Sequence, residues 1–228
     1  MSGDLADLAA VFFDMDGLLI DSEPLWFEVE CAVMERLGAS WGPEHQAELV
    51  GGSMERTVSY MLSVSGSDVP PETVEAWLVD GMAEVVRRGV RIQPGAGELL
   101  VALSAAGVPA ALVSSTYREL MDVVLDQLAQ AGHFFAVTIA GDEVRARKPD
   151  PEAYLHAAAS LGVPPARCVV LEDSDNGARA GVAAGCPTIV VPSVASVPEG
   201  PGRVFRDSLV GVTVDWLAGL AGSALVGD

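Results

Sequence analysis

Asp14-Met15-Asp16-Gly17-Leu18-Leu19-Ile20-Asp21-Ser22-Glu23, entered from the apolar run Leu8-Ala9-Ala10-Val11-Phe12-Phe13, decides how this chain is read. The run is short and ends abruptly on an acid, as a buried strand does when it leaves the core of a parallel sheet. In an extended chain, residues two apart point the same way. Asp14 and Asp16 therefore present two carboxylates together at the strand's C-terminal end, the rim where open α/β sheets keep their ligands. Two like charges that close repel, so the pair implies either a bound cation or two groups whose pKa values are driven apart. The second arrangement suits a nucleophile beside a general acid.

Working outward, similar apolar runs recur at residues 109–113, 135–140, 168–171 and 187–191. Helical spacing separates them over Arg118–Leu128, Pro151–Leu161 and Ser174–Ala184. Strands alternating with helices predict an α/β fold, a Rossmann-like parallel sheet with right-handed crossovers. The interval from Glu23 to about Arg91 breaks this rhythm. It holds no convincing strand and reads as several helices, punctuated by Pro24, Gly51-Gly52 and Pro70-Pro71. The expected division is a core formed by residues 1–22 and 92–228, with an α-helical cap inserted at residues 23–91. The chain re-enters the core through Ile92-Gln93-Pro94-Gly95.

The composition narrows the function. At 228 residues, half of them hydrophobic, the chain can bury a substantial core. A net charge of −19 excludes nonspecific nucleic-acid binding, which depends on cationic neutralisation of phosphates. Cys31, Cys168 and Cys186 are odd in number and lack metal-ligand spacing, which fits a reducing cytoplasm. Asp4 and Asp7 stand where a signal peptide would carry positive charge. Leu99 to Tyr117 is free of charge and long enough to raise a membrane span, but Gly107-Val108-Pro109 interrupts it. The segment is expected to be a buried helix, a tight turn and the strand Pro109–Val113, with no membrane involved. The oligomeric state is left open, with a monomer expected.

Three further polar clusters follow expected strands: Ser114-Ser115-Thr116, Lys148-Pro149 and Glu172-Asp173-Ser174. In a parallel sheet the strands before Ser114 and Glu172 end at the same rim as the strand before Asp14. Each residue type suits a phosphate ester. Hydroxyls and free N–H groups at a helix start hold phosphate oxygens, and a lysine supplies a compact positive charge. Acids at 172 and 173, joined with Asp14, make an oxygen-rich site for magnesium. Lys148 is the only lysine, against twelve arginines, which makes its retention informative. Ser22 suits the N-cap of the helix that follows it. Asp175 and Asn176 could lie near a metal or simply begin a helix. Trp41 and Trp77 read as packing anchors.

Taken in order, Asp14-Met15-Asp16-Gly17, Ser114, Lys148-Pro149 and Glu172-Asp173 resemble the four motifs of the haloacid dehalogenase-like hydrolase superfamily. The inserted helices resemble the small cap of its beta-phosphoglucomutase and sugar-phosphatase branch. That resemblance implies that Asp14 attacks phosphorus to form an aspartyl-phosphate while Asp16 protonates the leaving oxygen and later activates water. It implies phosphoryl binding by Ser114 and Ser115 and charge compensation by Lys148. It also implies Mg2+ held by Asp14, the backbone carbonyl of Asp16 and Asp173, with Glu172 a direct or water-mediated ligand. Trp26 occupies a cap position that faces substrate in the branch. The branch's mutases carry a histidine at that position and basic residues around the cap's glycine loop, where this chain has Trp26, Val50 and Met54. The resemblance therefore favours a phosphatase acting on a small phosphorylated sugar. A sugar-phosphate mutase is the alternative, and a phospho-receiver signalling module a more distant one.

Overall fold

The structure is a computed structural model and describes residues 7–49, 53–194 and 196–224. Asp4, Val50, Gly51 and Gly52, used in the reading above, lie outside the described residues. Strands β1 (Ala10–Phe13), β2 (Ala110–Val113), β3 (Val137–Ile139), β4 (Cys168–Glu172), β5 (Thr188–Val190) and β6 (Arg203–Phe205) form one sheet in the order β3-β2-β1-β4-β5-β6. Every neighbouring pair is parallel. β1, β2, β4 and β5 are buried along their whole length, which explains their unbroken apolar runs, whereas the edge strand β6 is half-buried throughout.

The chain leaves β1 towards β2 and β3, then returns to β4 on the other side of β1 and continues outward. The direction of winding thus reverses between β1 and β4, and a crevice opens there at the strands' C-terminal ends. Register sharpens the point. Phe13 pairs with Leu112 on one side and Leu171 on the other, so the next residue, Asp14, falls level with Val113 and Glu172. The Asp14 amide donates to Leu171 O at 3.0 Å, which carries the ladder one step beyond the strand.

Four helices lie between Glu23 and Arg87: α1 (Glu23–Arg36), α2 (Pro43–Leu49), α3 (Met54–Ser65) and α4 (Pro71–Arg87). α1 and α4 pack together, and α4 also meets α6 (Arg118–Gln130). One apolar cluster runs without a break from the sheet through Val33, Met61, Leu78 and Met82 of these helices. Ser22 stands at the N-cap of α1 but adopts a helical conformation (φ −88°, ψ −17°) rather than the extended one that capping needs. Its hydroxyl makes no capping bond and is buried without a partner among the described residues.

The uncharged stretch Leu99–Tyr117 resolves into α5 (Ala96–Ala106), a turn at Gly107 and strand β2. No helix among the described residues is long and apolar enough to cross a membrane. The later helices are α7 (Glu152–Leu161), α8 (Asp175–Ala183) and α9 (Val214–Ala224). α9 and β6 go beyond the expected elements. β6 has three half-buried residues behind a Pro- and Gly-rich segment, too short a run for periodicity to mark.

Candidate active site

The polar clusters that follow the strands converge at the crevice. Lys148 reaches in from the segment between β3 and α7, and its side chain is almost fully enclosed. Its Nζ donates to Asp14 Oδ1 at 2.5 Å, Glu172 Oε1 at 2.6 Å and Val113 O at 2.8 Å, so one ammonium ties together the ends of β1, β2 and β4. Glu172 is fully buried. Its Oε1 also accepts from the Tyr154 phenol at 2.6 Å, while Oε2 accepts from Ser174 Oγ at 3.1 Å and from the Asp173 amide at 3.2 Å. The Tyr154 ring stacks on Phe12 beneath the sheet's central strand, which fixes the phenol's aim.

The second acid of the opening motif is placed by a different bond. Asp16 Oδ2 accepts from Thr116 Oγ1 at 2.8 Å, and the Thr116 amide donates to Ser114 Oγ at 3.0 Å. Ser114 is buried, whereas Ser115 is exposed at the cavity wall. Asp173 Oδ2 accepts from Ser193 Oγ at 2.6 Å. Gly17 has φ +78°, and a Cβ there would lie 2.2 Å from Asp173 Oδ2. Only glycine lets the loop after Asp16 turn left-handed and pass this close to Asp173. Asp175 begins α8 and pairs with Arg203 at 2.7 Å.

Burial, followed by the nearby Glu172 carboxylate, holds the Asp14 carboxyl well above the usual carboxylate range. The same two causes push Asp173 up to about 7. Burial alone would pull Lys148 down, but the charges of Asp14 and Glu172 outweigh it and hold the ammonium above its ordinary value. Carboxylate oxygens of Asp14, Glu172 and Asp173 lie within 4.8 Å of one another. An all-oxygen anionic set suits a hard divalent cation, and positive charge between these acids would relieve the repulsion that lifts Asp14 and Asp173. Asp14 and Asp173 each spend one carboxylate oxygen on the bonds described, while Glu172 spends both.

A cavity of about 390 Å³ opens over this cluster. Asp14, Asp16, Ser114, Ser115, Lys148 and Asp173 line it, and so does Trp26 from α1. Glu172 lies behind them. The sequence reading leaves out Tyr154 and Ser193, which steady Glu172 and Asp173, and Glu23 and Glu30, which line the cavity from α1. Helical spacing could have found the last two, because residues 23, 26 and 30 share one face. Nothing in the sequence marks Ser193, a lone serine in a loop far from any motif.

The family model described as haloacid dehalogenase-like hydrolase matches residues 8–185. Hexitol phosphatase B of Escherichia coli (strain K12) is 34% identical over 189 residues, covering 82% of this chain and 84% of that protein. A phosphorylated carbohydrates phosphatase of Thermotoga maritima is 30% identical over 183 residues, covering 80% of this chain and 84% of its own. Among solved structures, CbbY from Rhodobacter sphaeroides in complex with phosphate superposes with a TM-score of 0.78 at 28% identity, covering 90% of this chain and 96% of that one.

Proposed function

The chain belongs to the haloacid dehalogenase-like hydrolase family, and from that premise we propose that it is a magnesium-dependent phosphatase that hydrolyses a small sugar phosphate through an aspartyl-phosphate on Asp14. The observation that carries the reading is the junction of Asp14, Lys148 and Glu172 at the switch point of the sheet, with Asp16 two residues beyond Asp14. In this reading the residues 1–22 and 92–228 form the catalytic core and residues 23–91 a cap. The names of two relatives, a hexitol phosphatase and a phosphorylated carbohydrates phosphatase, support a sugar-phosphate substrate.

A carboxylate oxygen of Asp14 attacks phosphorus, and the bond to the sugar oxygen breaks as Asp16 gives that oxygen a proton. Thr116 holds Asp16 for this transfer. The Asp16 carboxylate then takes a proton from water, which attacks the phosphoryl group and frees Asp14 together with inorganic phosphate. Ser114, Ser115 and Lys148 hold the phosphoryl oxygens, Lys148 also offsetting their charge. Asp14, Asp173 and the backbone carbonyl of Asp16 would hold Mg2+, with Glu172 direct or through water. The ion would supply positive charge against the transferring group. Trp26 would contact the sugar. Closure of the insert over the core would exclude water from the aspartyl-phosphate until the leaving group departs.

Against a mutase, no lysine or arginine of the insert lines the cavity among the described residues, so a second phosphate would find no clamp there. Three free cysteines fit a cytoplasmic location. Phosphate release from a panel of sugar monophosphates with Mg2+ tests the proposal. Turnover should vanish on chelation and in Asp14→Asn. Interconversion of sugar phosphates without net phosphate release would establish a mutase, and a long-lived phosphoprotein without turnover a receiver module.

A further inference from the structure

Helix α1 turns one stripe of side chains, Glu23, Trp26 and Glu30, into the cavity that Asp14 and Ser114 also line. Glu30 is only 5% exposed. Its Oε2 accepts from Trp41 Nε1 at 3.0 Å, and no donor among the described residues reaches Oε1. Glu23 is braced by Gln46, whose amide nitrogen donates to Glu23 O at 2.9 Å and to Oε2 at 3.3 Å. Both acids are held in place by neutral donors, and both line the cavity, where a carboxylate oxygen not engaged by Trp41 or Gln46 can accept from an incoming hydroxyl.

The electrostatics give the pair a direction. Burial and then the charge of Asp16 raise Glu23. Burial, against a lowering by the Trp41 bond, and then the charge of Glu23 raise Glu30 to about 7. The acids therefore run in a row from the reacting end of the cavity into the insert, and Glu23 and Glu30 stand about 10 Å apart along the helix axis. The cations that line the cavity among the described residues, Arg147 and Lys148, both come from the segment before α7. Arg147 donates to Gly141 O at 3.1 Å and covers the Tyr117 ring, and Lys148 is committed to Asp14 and Glu172.

We propose that Glu23 and Glu30 are specificity-determining residues: they accept hydrogen bonds from the hydroxyls of an uncharged polyol leaving group and reject esters that carry a second anionic group. The inference rests on the phosphatase reading above and deepens it. A polyol offers a hydroxyl donor at nearly every carbon, which matches a wall of acceptors, while its C–H faces suit Trp26. A carboxylate or second phosphate on the leaving group would sit beside two acids in a partly desolvated space, where like charges repel far more strongly than in water.

The test compares a hexitol monophosphate with the aldonic acid monophosphate of the same carbon count, in the wild type, Glu30→Gln and Glu23→Gln. Glutamine keeps the acceptor for Trp41 or Gln46 and removes the charge. The wild type should favour the hexitol ester by at least about tenfold in kcat/KM. Each variant should shrink that ratio, chiefly by lowering KM for the aldonate ester. Calorimetric titration of both esters into Asp14→Asn protein, with and without Glu30→Gln, reads the same ratio as dissociation constants without turnover. A ratio near one in the wild type, or one that neither variant moves in kinetics or calorimetry, overturns the inference and leaves the phosphatase standing. Failure to hydrolyse any ester while the calorimetric ratio behaves as expected overturns the phosphatase and leaves the binding specificity.

Discussion

Replacing Lys148 by methionine, which keeps the length of the side chain and removes the ammonium, should unfold this site from within. Nζ is the shared partner of Asp14 Oδ1, Glu172 Oε1 and Val113 O. A pair of unit charges about 3 Å apart attract by roughly 5–6 kcal/mol at an effective dielectric near 20, so two carboxylates give about 11 kcal/mol of gross attraction. Burying the ammonium takes back several kcal/mol. The larger effect in the variant is what remains: Asp14, Glu172 and Asp173 converge with no positive charge between them. Removing one partner of a buried ionic group typically costs about 3–5 kcal/mol, and that is the loss expected in chelator-containing buffer at pH 8.

The loss should depend on pH with a definite sign. Asp14 and Asp173 already have folded-state pKa values above their unfolded ones, Asp173 at about 7. Without the ammonium they move higher still. Between the unfolded and folded values the native state binds more protons than the unfolded chain, so stability is greatest below about pH 4 and drains away as pH rises through the folded pKa. Lys148→Met should therefore recover stability relative to wild type as the pH is lowered from 8 towards 5.5. Urea denaturation at several pH values measures this directly. A loss below about 1 kcal/mol at pH 8, or one independent of pH, would refute the claim that Lys148 is the charge that lets these carboxylates share the crevice.

Glu30 should behave as an acid whose burial is relieved by protonation. Its pKa of about 7 lies above the ordinary value of a glutamate, so the wild type loses stability as pH climbs from about 4.5 through 7, and Glu30→Gln should be the more stable protein at pH 8 by on the order of 2 kcal/mol, with the gap closing near pH 5 in thermal or urea melts. Gly177→Ala should destabilise although alanine favours helix by about 1 kcal/mol, because the new Cβ would lie 1.8 Å from Glu172 Oε1, held by Lys148 and Tyr154; a melting temperature at or above wild type would contradict that packing. Tyr154→Phe removes a buried donor from Glu172 and should cost about 1–3 kcal/mol while preserving the stack on Phe12, as read by denaturation and near-ultraviolet circular dichroism.

Much of this architecture is legible along the chain because burial leaves a local mark. β1, β2, β4 and β5 are covered on both faces, so their residues are apolar without alternation, and the acids and hydroxyls that end them stand out against that background. Asp14, Ser114 and Asp173 could be placed at one rim for the same reason, since parallel strands point their C-terminal ends the same way. What escaped is what depends on contacts between distant segments. Tyr154 looks like any aromatic on an amphipathic helix, and only the fold shows its phenol aimed at Glu172. Ser22 has the residue type of a helix cap, yet the turn from Asp21 into α1 holds its backbone helical and withdraws the hydroxyl. Edge strand β6 contributes three half-buried residues, too few for either periodicity or apolarity to register.

Charge explains why a chain this acidic can handle a phosphate at all. Asp14, Asp16, Glu172 and Asp173 meet one ammonium at the crevice, and Glu23 and Glu30 add two more acids along the cavity. A phosphate dianion entering that field meets net repulsion, and Lys148 cannot answer it alone because it is already shared between two carboxylates. A divalent cation would cancel most of that charge locally, at the acids that follow β1 and end β4, and would offer the phosphoryl oxygens a direct positive partner while leaving the α1 wall negative. The phosphoryl group would then be drawn to one end of the cavity and a second anionic group refused at the other. That orients the ester although, among the described residues, no cation of the insert lines the cavity, and it makes metal dependence and selection against doubly charged esters two readings of one charge distribution. Chelation should accordingly abolish turnover of the hexitol ester in the wild type. In Glu30→Gln it should still abolish turnover while the selection relaxes, because the two charges that govern these properties sit at opposite ends of the row from Asp16 to Glu30.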